Sequence, residues 1–160
     1  MTDTPTFFTV LTPTYNRAGT LHRVYESLSR QTFRDFEWVV VDDGSTDNTH
    51  DSILDWQTRA DFPIRYVWQN NQHKKTAFNR GVREARGQLI VGLDSDDEMP
   101  PDALATFKDA WESIPPARRD SYVAVTGLCA RPDGSIVGDR YPQDVFDSTA
   151  VDVYFRYRIK

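Results

Sequence analysis

The sequence predicts an α/β protein, a three-layer α/β/α sandwich around a mostly parallel central sheet. Three observations predict it. Short apolar runs of strand length alternate four times with segments whose apolar residues recur at helical spacing. The chain has 160 residues, enough for one substantial core. Polar clusters follow the first, second and fourth apolar runs, at the strand ends where open α/β sheets carry ligands.

Phe7-Phe8-Thr9-Val10-Leu11 reads as a first buried strand stopped by Pro13. Leu21, Val24, Tyr25 and Leu28 give a helix from about Thr20 to Gln31. Phe36 to Val41 is a second strand. Asp47 is the expected N-cap of a helix carrying Ile53, Leu54 and Trp56. Ile64 to Trp68 is a third strand. Ala77, Phe78, Val82 and Ala85 mark the next helix, with Gly87 as its expected C-cap. Leu89 to Leu93 is the fourth strand. Pro101 opens a helix with Leu104, Phe107, Ala110 and Trp111. Val123 to Leu128 reads as a fifth strand, and Arg131-Pro132-Asp133-Gly134-Ser135 as a hairpin turn into Ile136-Val137. From Tyr141 the pattern weakens. Tyr154-Phe155-Arg156-Tyr157-Arg158-Ile159-Lys160 alternates aromatic and basic residues, which reads as a strand.

A net charge of −5 argues against nonspecific nucleic-acid binding, which needs a basic face. The single cysteine, Cys129, leaves no intrachain disulfide and no cysteine-type zinc site, and fits a reducing compartment. No apolar run approaches the roughly 18 residues that span a bilayer, and Met1 to Thr6 lacks signal-peptide character. The expected location is the cytoplasm, with peripheral association at the inner face of a membrane left open.

The strongest chemical signal is Asp94-Ser95-Asp96-Asp97-Glu98, directly after the fourth strand. Four carboxylates in five residues repel one another, and no basic residue adjoins them in the sequence. Mg²⁺ or Mn²⁺ would relieve that repulsion, taking one or two carboxylates and completing its shell with water and phosphate. A solvated acidic turn that caps a helix is the plainer alternative. Thr12-Pro13-Thr14-Tyr15-Asn16-Arg17 and Asp42-Asp43-Gly44-Ser45-Thr46-Asp47 are the other two clusters. Each alone could be only a turn, but all three would converge on one pocket. There is no G-x-G-x-x-G after the first strand and no Walker-type loop, which argues against a Rossmann dehydrogenase or P-loop NTPase. His22, His50 and His73 are scattered, which suggests neither a zinc cluster nor a Ser-His-Asp triad.

In this order the clusters resemble the family 2 glycosyltransferases of the GT-A fold. The resemblance runs through Val10 to Arg17, Ser29-Arg30-Gln31-Thr32-Phe33, and Val39-Val40-Val41-Asp42-Asp43-Gly44-Ser45-Thr46-Asp47. It continues in Lys74-Lys75-Thr76-Ala77-Phe78-Asn79-Arg80-Gly81, where His73 replaces the family's usual glycine. It ends with Ala85-Arg86-Gly87, Leu93 to Asp97 and Pro101-Asp102.

The resemblance implies a metal-dependent, inverting transfer of a sugar from a nucleotide-diphospho-sugar, UDP by default, to an acceptor hydroxyl. Pro13, Thr14 and Tyr15 would line the base pocket, with Tyr15 packing on the base. Asp43 would read the base and Asp42 would support its turn. Lys74 and Ser95 would lie near the nucleotide, and Asn79 would order its loop. Asp96 would contact Mn²⁺ or Mg²⁺ directly, and Asp94 would contact the ribose or a metal-bound water. The partners implied are a nucleotide-sugar donor and a saccharide or lipid-linked acceptor, in bacterial surface polysaccharide synthesis. The domain expected is a single one over 1–160, with a donor half at about 7–110 and the start of an acceptor half at about 120–160. The family's catalytic base would fall beyond Lys160; Asp133, Asp139, Asp144, Asp147 and Asp152 qualify by residue type only.

Two rivals come from other classes. A nucleotide-sugar-binding module without turnover would share every donor residue. A phosphoacceptor receiver domain would use Asp96-Asp97-Glu98-Met99-Pro100. A receiver's acidic pair ends its first strand, however, and here a strand and a helix precede Asp42. The receiver's later lysine is also missing, with none between Lys108 and Lys160. The sequence leaves the oligomeric state unknown.

Overall fold

The structure is a computed structural model, and it describes residues 6–122, 124–138 and 140. The chain divides into two compact units, Met1–Asp109 and Ala110–Lys160.

The first unit holds a four-stranded parallel sheet of β1 (Phe8–Thr14), β2 (Phe36–Asp42), β3 (Ile64–Trp68) and β4 (Leu89–Gly92), in the order β3-β2-β1-β4. Helices α1 (Leu21–Ser29), α2 (Thr49–Arg59) and α3 (His73–Glu84) connect them, and α4 (Ala103–Ser113) follows. Every residue of β1 and β2 is buried, as expected for parallel strands covered on both faces. The pleat sends alternate side chains to opposite layers. Phe8, Val10, Phe36, Trp38 and Val40 pack with Leu21, Val24 and Leu28 of α1, Ile53 and Trp56 of α2, and Leu104 of α4. Leu11, Val39 and Val41 pack with Ala77 and Phe78 of α3. That divides the helices between the two faces and makes three layers. Each fully buried Leu, Val or Phe contributes about 1.5–3 kcal/mol of transfer free energy.

Gly81 lets α3 approach the sheet closely. A Cβ there would lie 2.0 Å from Leu11 Cδ1.

The sequence expectations need four corrections. Pro13 does not stop the first strand, which continues to Thr14. The Leu11 carbonyl accepts from Leu93 N on the β4 side, and the Thr14 carbonyl accepts from Asp43 N on the β2 side. Pro13, in phase with Leu11, therefore turns its missing N–H toward β4, whose ladder has already ended at Gly92. Gly87 is not a C-cap: α3 ends at Glu84, and Ala85 is the capping residue in an extended conformation. Gly87 is small because a Cβ would fall 2.3 Å from Thr9 N. The residue at the N-cap of α2 is Asn48 rather than Asp47. Asp47 still serves the helix start, since its Oδ1 accepts from the N–H (3.1 Å) and hydroxyl (2.6 Å) of Thr49. Finally, residues 124–128 of the expected fifth strand are not in a strand.

In the second unit the strand is instead β5 (Cys129–Ala130), paired antiparallel with β6 (Ile136–Val137). The predicted turn is present, closed by Gly134 N to Arg131 O (2.9 Å) and Arg131 N to Ser135 O (2.8 Å). That turn fixes the register, so the residues flanking it are the ones that face each other. A 3₁₀ turn spans Pro116–Ser121. The expected terminal strand at 154–160 lies outside the described residues.

Candidate functional site

The strand order builds a site at one edge of the sheet. β1 leads to β2 and β3 on one side, while β4 lies on the other side of β1. The carboxyl ends of β1 and β4 therefore flank the topological switch point, where open α/β sheets form their ligand crevice. A cleft of about 140 Å³ opens there. From the β1 end it is lined by Pro13, Thr14, Tyr15 and Arg17, from the β2 end by Asp43, from α3 by Lys74 and Ala77, and from the β4 end by Ser95.

The backbone around the cleft is clamped by the two loops' own polar residues. Asn16 sits at φ 51°, a left-handed conformation that asparagine tolerates. Its Oδ1 accepts from Thr46 N at 2.8 Å, and its N–H donates to Ser45 Oγ at 2.9 Å. Arg17 N donates to Thr49 Oγ1 at 3.1 Å, and Ala18 N to Asp47 Oδ2 at 3.0 Å. Modest burial pushes the Asp47 carboxyl up, but the hydrogen bonds from Thr49 and Ala18 outweigh it and hold the group below the usual range.

Of the residues expected at a nucleotide, six line this cleft: Pro13, Thr14, Tyr15, Asp43, Lys74 and Ser95. Tyr15 is half exposed. The Asp43 carboxylate is nearly buried; its Oδ1 accepts from Gln69 Nε2 (2.6 Å) and Gln72 N (2.9 Å). The Thr14 hydroxyl is buried and has no hydrogen-bond partner among the described residues. Such a group costs about 1–3 kcal/mol unless something satisfies it.

Asp42 lies beneath the cleft rather than in its lining. Its Oδ1 accepts from Ser45 N (2.8 Å) and its Oδ2 from the Tyr66 hydroxyl (2.7 Å). Burial, then the Asp42 carboxylate, drives the Tyr66 phenol far above its ordinary range, so it stays a donor. Asn79 lies on α3, and His22, His50 and His73 are all exposed and far apart in the chain. Sequence reading gave no role to Arg17, Ala77, Gln69 or Gln72. Arg17 was visible inside the Pro-Thr-Tyr-Asn-Arg run, but only the fold shows its side chain meeting the β4 turn.

That turn brings a further correction. The acidic residues lack basic neighbours in the sequence but have them in space. Lys74 Nζ lies 2.7 Å from Asp94 Oδ2, Arg17 Nη2 3.6 Å from Asp96 Oδ2, and Arg30 Nη2 3.6 Å from Glu98 Oε2. Lys74 comes from the first turn of α3, Arg17 from the loop between β1 and α1, and Arg30 from the C-cap of α1. Asp97 is left a weaker acid than an ordinary aspartate: burial, then Asp94 and Asp96, push its carboxyl up, against a smaller opposing effect of Lys74.

Among the described residues no group of three or more His, Cys, Asp or Glu side chains could hold a metal ion. Asp94 and Asp96 still offer hard oxygen donors, both about half exposed at the cleft mouth. Two carboxylates fit Mg²⁺ or Mn²⁺ when phosphate oxygens and water complete the shell. Of the candidate bases, Asp133 is spent on the hairpin turn, its Oδ1 accepting from Ser135 N at 2.9 Å. Asp139, Asp144, Asp147 and Asp152 lie outside the described residues.

The fold is that of the GT-A glycosyltransferases, and the solved structures it resembles belong to that class. Staphylococcus aureus TarS 1-349 in complex with UDP superposes with a TM-score of 0.58 at 30% identity, over 66% of this chain and 32% of that one. The mannosyltransferase PcManGT from Pyrobaculum calidifontis, in complex with GDP-Man and Mn²⁺, gives a TM-score of 0.59 at 32% identity, over 64% and 31%. A Campylobacter jejuni GalNAc(5)-diNAcBac-PP-undecaprenol beta-1,3-glucosyltransferase is 35% identical over 122 residues, 75% of this chain and 37% of that enzyme. The chain belongs to glycosyl transferase family 2, whose model matches residues 9–155. It spans about a third of the length of these relatives. No helix among the described residues is long and apolar enough to cross a membrane.

Proposed function

We propose that this chain carries the donor-binding half of an inverting glycosyltransferase. The donor is a nucleotide-diphospho-sugar, UDP-linked in the first instance, and the acceptor is a hydroxyl of a saccharide or a lipid-linked saccharide. The observation that carries the reading is the buried, unpartnered Thr14 hydroxyl in a cleft shared with Tyr15 and Asp43. A ligand with a stacking face and adjacent hydrogen-bonding groups, as a nucleobase on ribose has, meets all three needs. Asp43 and Thr14 bind the base and ribose, and Tyr15 packs on the ring. The diphosphate then lies toward Lys74, Arg17 and the β4 turn.

Departure of a nucleoside diphosphate builds negative charge. Lys74 offsets part of it; Asp96 and Asp94 are the residues that would hold a divalent cation, which would supply further charge stabilisation there. The acceptor oxygen attacks the anomeric carbon from the opposite face as its proton passes to a carboxylate base, and the configuration inverts. The base belongs to the acceptor half, which begins at about residue 120 of one continuous domain. The reading includes a cytoplasmic setting with peripheral contact at the inner membrane face and a role in surface polysaccharide synthesis; the family match and the polyprenol-linked acceptor in the Campylobacter relative's name support it.

Calorimetric titration tests the proposal. UDP is expected to bind in the presence of Mn²⁺, with at least a tenfold loss on Asp96→Ala. A chain that binds neither UDP nor GDP, with or without Mn²⁺, would overturn it.

A further inference from the structure

We propose that Arg17 is a counter-ion placeholder in the donor cleft. It holds Asp96 while the cleft is empty and passes to the donor's diphosphate when nucleotide binds, releasing the carboxylate for the divalent cation. The inference rests on the reading of the cleft as a donor site and adds a residue and an order of events to it.

Three observations carry it. First, the Arg17 backbone is held by hydrogen bonds while its head group is half exposed and has one long contact, to Asp96. The Arg17 N–H donates to Thr49 Oγ1, and its carbonyl accepts from Thr20 N (3.0 Å) and Leu21 N (2.9 Å). The side chain is 47% exposed and reaches Asp96 with one nitrogen at 3.6 Å. A half-exposed contact of that length is weak and exchangeable. Secondly, Arg17 and Lys74 line the same cleft and each faces one carboxylate of the Asp94-Ser95-Asp96 run. Two cations thus stand where a divalent cation would have to bind, so cation and side chains compete for the same oxygens. Thirdly, Thr14 also lines this cleft, and its hydroxyl is buried with no partner among the described residues, an unmet need that a ligand seated there would satisfy.

The chemistry suits an exchange. A planar guanidinium binds two phosphate oxygens in parallel, which a single 3.6 Å contact to Asp96 does not exploit. Arg17 therefore gains more from the diphosphate than it loses by leaving Asp96. Its departure uncovers a carboxylate at the moment phosphate oxygens become available to the same cation. Cation and nucleotide are thereby made to bind cooperatively, and by linkage each strengthens the other equally.

The test measures Mn²⁺ binding by the electron paramagnetic resonance signal of the free ion, together with uridine and UDP affinities by calorimetry. It compares the wild-type chain with Arg17→Ala and Arg17→Gln. Without nucleotide, both variants are expected to bind Mn²⁺ about two- to fivefold more tightly than wild type, because a competing cation is gone. UDP affinity is expected to fall about tenfold or more while uridine affinity holds, since only the diphosphate contact is lost. The enhancement of Mn²⁺ binding by UDP shrinks accordingly. Variants that match wild type in nucleotide-free Mn²⁺ affinity and in the UDP-to-uridine ratio would overturn the placeholder role while leaving the donor site standing. A wild-type chain that binds neither uridine nor UDP would overturn both.

Discussion

On the donor-site proposal, Thr14 would separate binding from stability at a single atom. Most buried hydroxyls contribute to folding by finding a partner, as the Thr9 hydroxyl does at 2.7 Å from Glu37 Oε1. The Thr14 hydroxyl has none among the described residues, so folding bears its desolvation without return. Thr14→Val keeps the shape and removes the orphan. The folded chain is expected to be as stable as wild type or up to about 1 kcal/mol more so in urea unfolding. UDP affinity is expected to drop about three- to tenfold in calorimetry, the worth of one hydrogen bond. A variant that loses stability and keeps affinity would show that the hydroxyl serves the fold. Sequence reading reached Thr14 through its motif. The motif does not reveal the missing partner, because satisfaction of a polar atom depends on residues distant in the chain.

The loops that shape the cleft owe their form to side chains that sequence reading took for simple turn and cap residues. Asp47 has two jobs at once. One oxygen serves the start of α2 through Thr49, and the other holds Ala18 on the neighbouring loop. Asp47→Ala is expected to cost about 1 kcal/mol, the usual loss for a helix-start carboxylate. The pH dependence has a definite sign. The folded-state group titrates below its ordinary value. Its contribution is therefore fully present above the unfolded pKa of about 3.9 and is lost as pH falls through the lower, folded value. Urea unfolding of wild type and variant should differ by a constant amount from pH 7 to about 5, and the two should converge below pH 4. A gap that stays constant down to pH 3 would remove the ionised carboxylate from the explanation.

Gln31 works in a similar way at the far end of α1. Its Nε2 donates to the Pro100 carbonyl at 2.7 Å, and its Oε1 accepts from Leu104 N at 3.1 Å. A residue read as part of a motif thus caps α4 from the loop after α1 and holds the end of the acidic turn. The four alternating strands and helices were legible because burial on both faces leaves long apolar runs and helical periodicity. The end of β1 and the short β5 were not. Pro13 depends on where the neighbouring ladder stops, and β5 depends on the register set by its turn.

At the scale of the sheet, two polar networks occupy opposite ends of the same strands, and they have different tasks. At the carboxyl end lies the cleft. At the amino end Glu37 is buried, with Oε1 accepting from the Thr9 hydroxyl and from Arg86 N at 2.8 Å, and Arg65 3.6 Å from Oε2. Gly87 N adds a hydrogen bond to Thr9 Oγ1 at 2.9 Å. The Ala85-Arg86-Gly87 run, legible in the sequence as part of a family resemblance, is thereby tied to the start of β1 and β2. Thr9 and Thr14 are five residues apart on β1, roughly 16 Å at strand rise, so the two networks share no partner. Their effects should therefore be separable. Glu37→Ala removes the acceptor of the buried Thr9 hydroxyl and leaves Arg86 N only its longer bond to Thr9 Oγ1 at 3.2 Å, and it is expected to cost about 3 kcal/mol of stability. The chain that remains folded should bind UDP with wild-type affinity, the mirror image of Thr14→Val. Combining the two substitutions should give additive losses, stability from one end and affinity from the other. If Glu37→Ala weakened UDP binding in the folded chain by more than about twofold, the ends would be coupled through β1 and β2, and the sheet could not be treated as a rigid frame for the cleft.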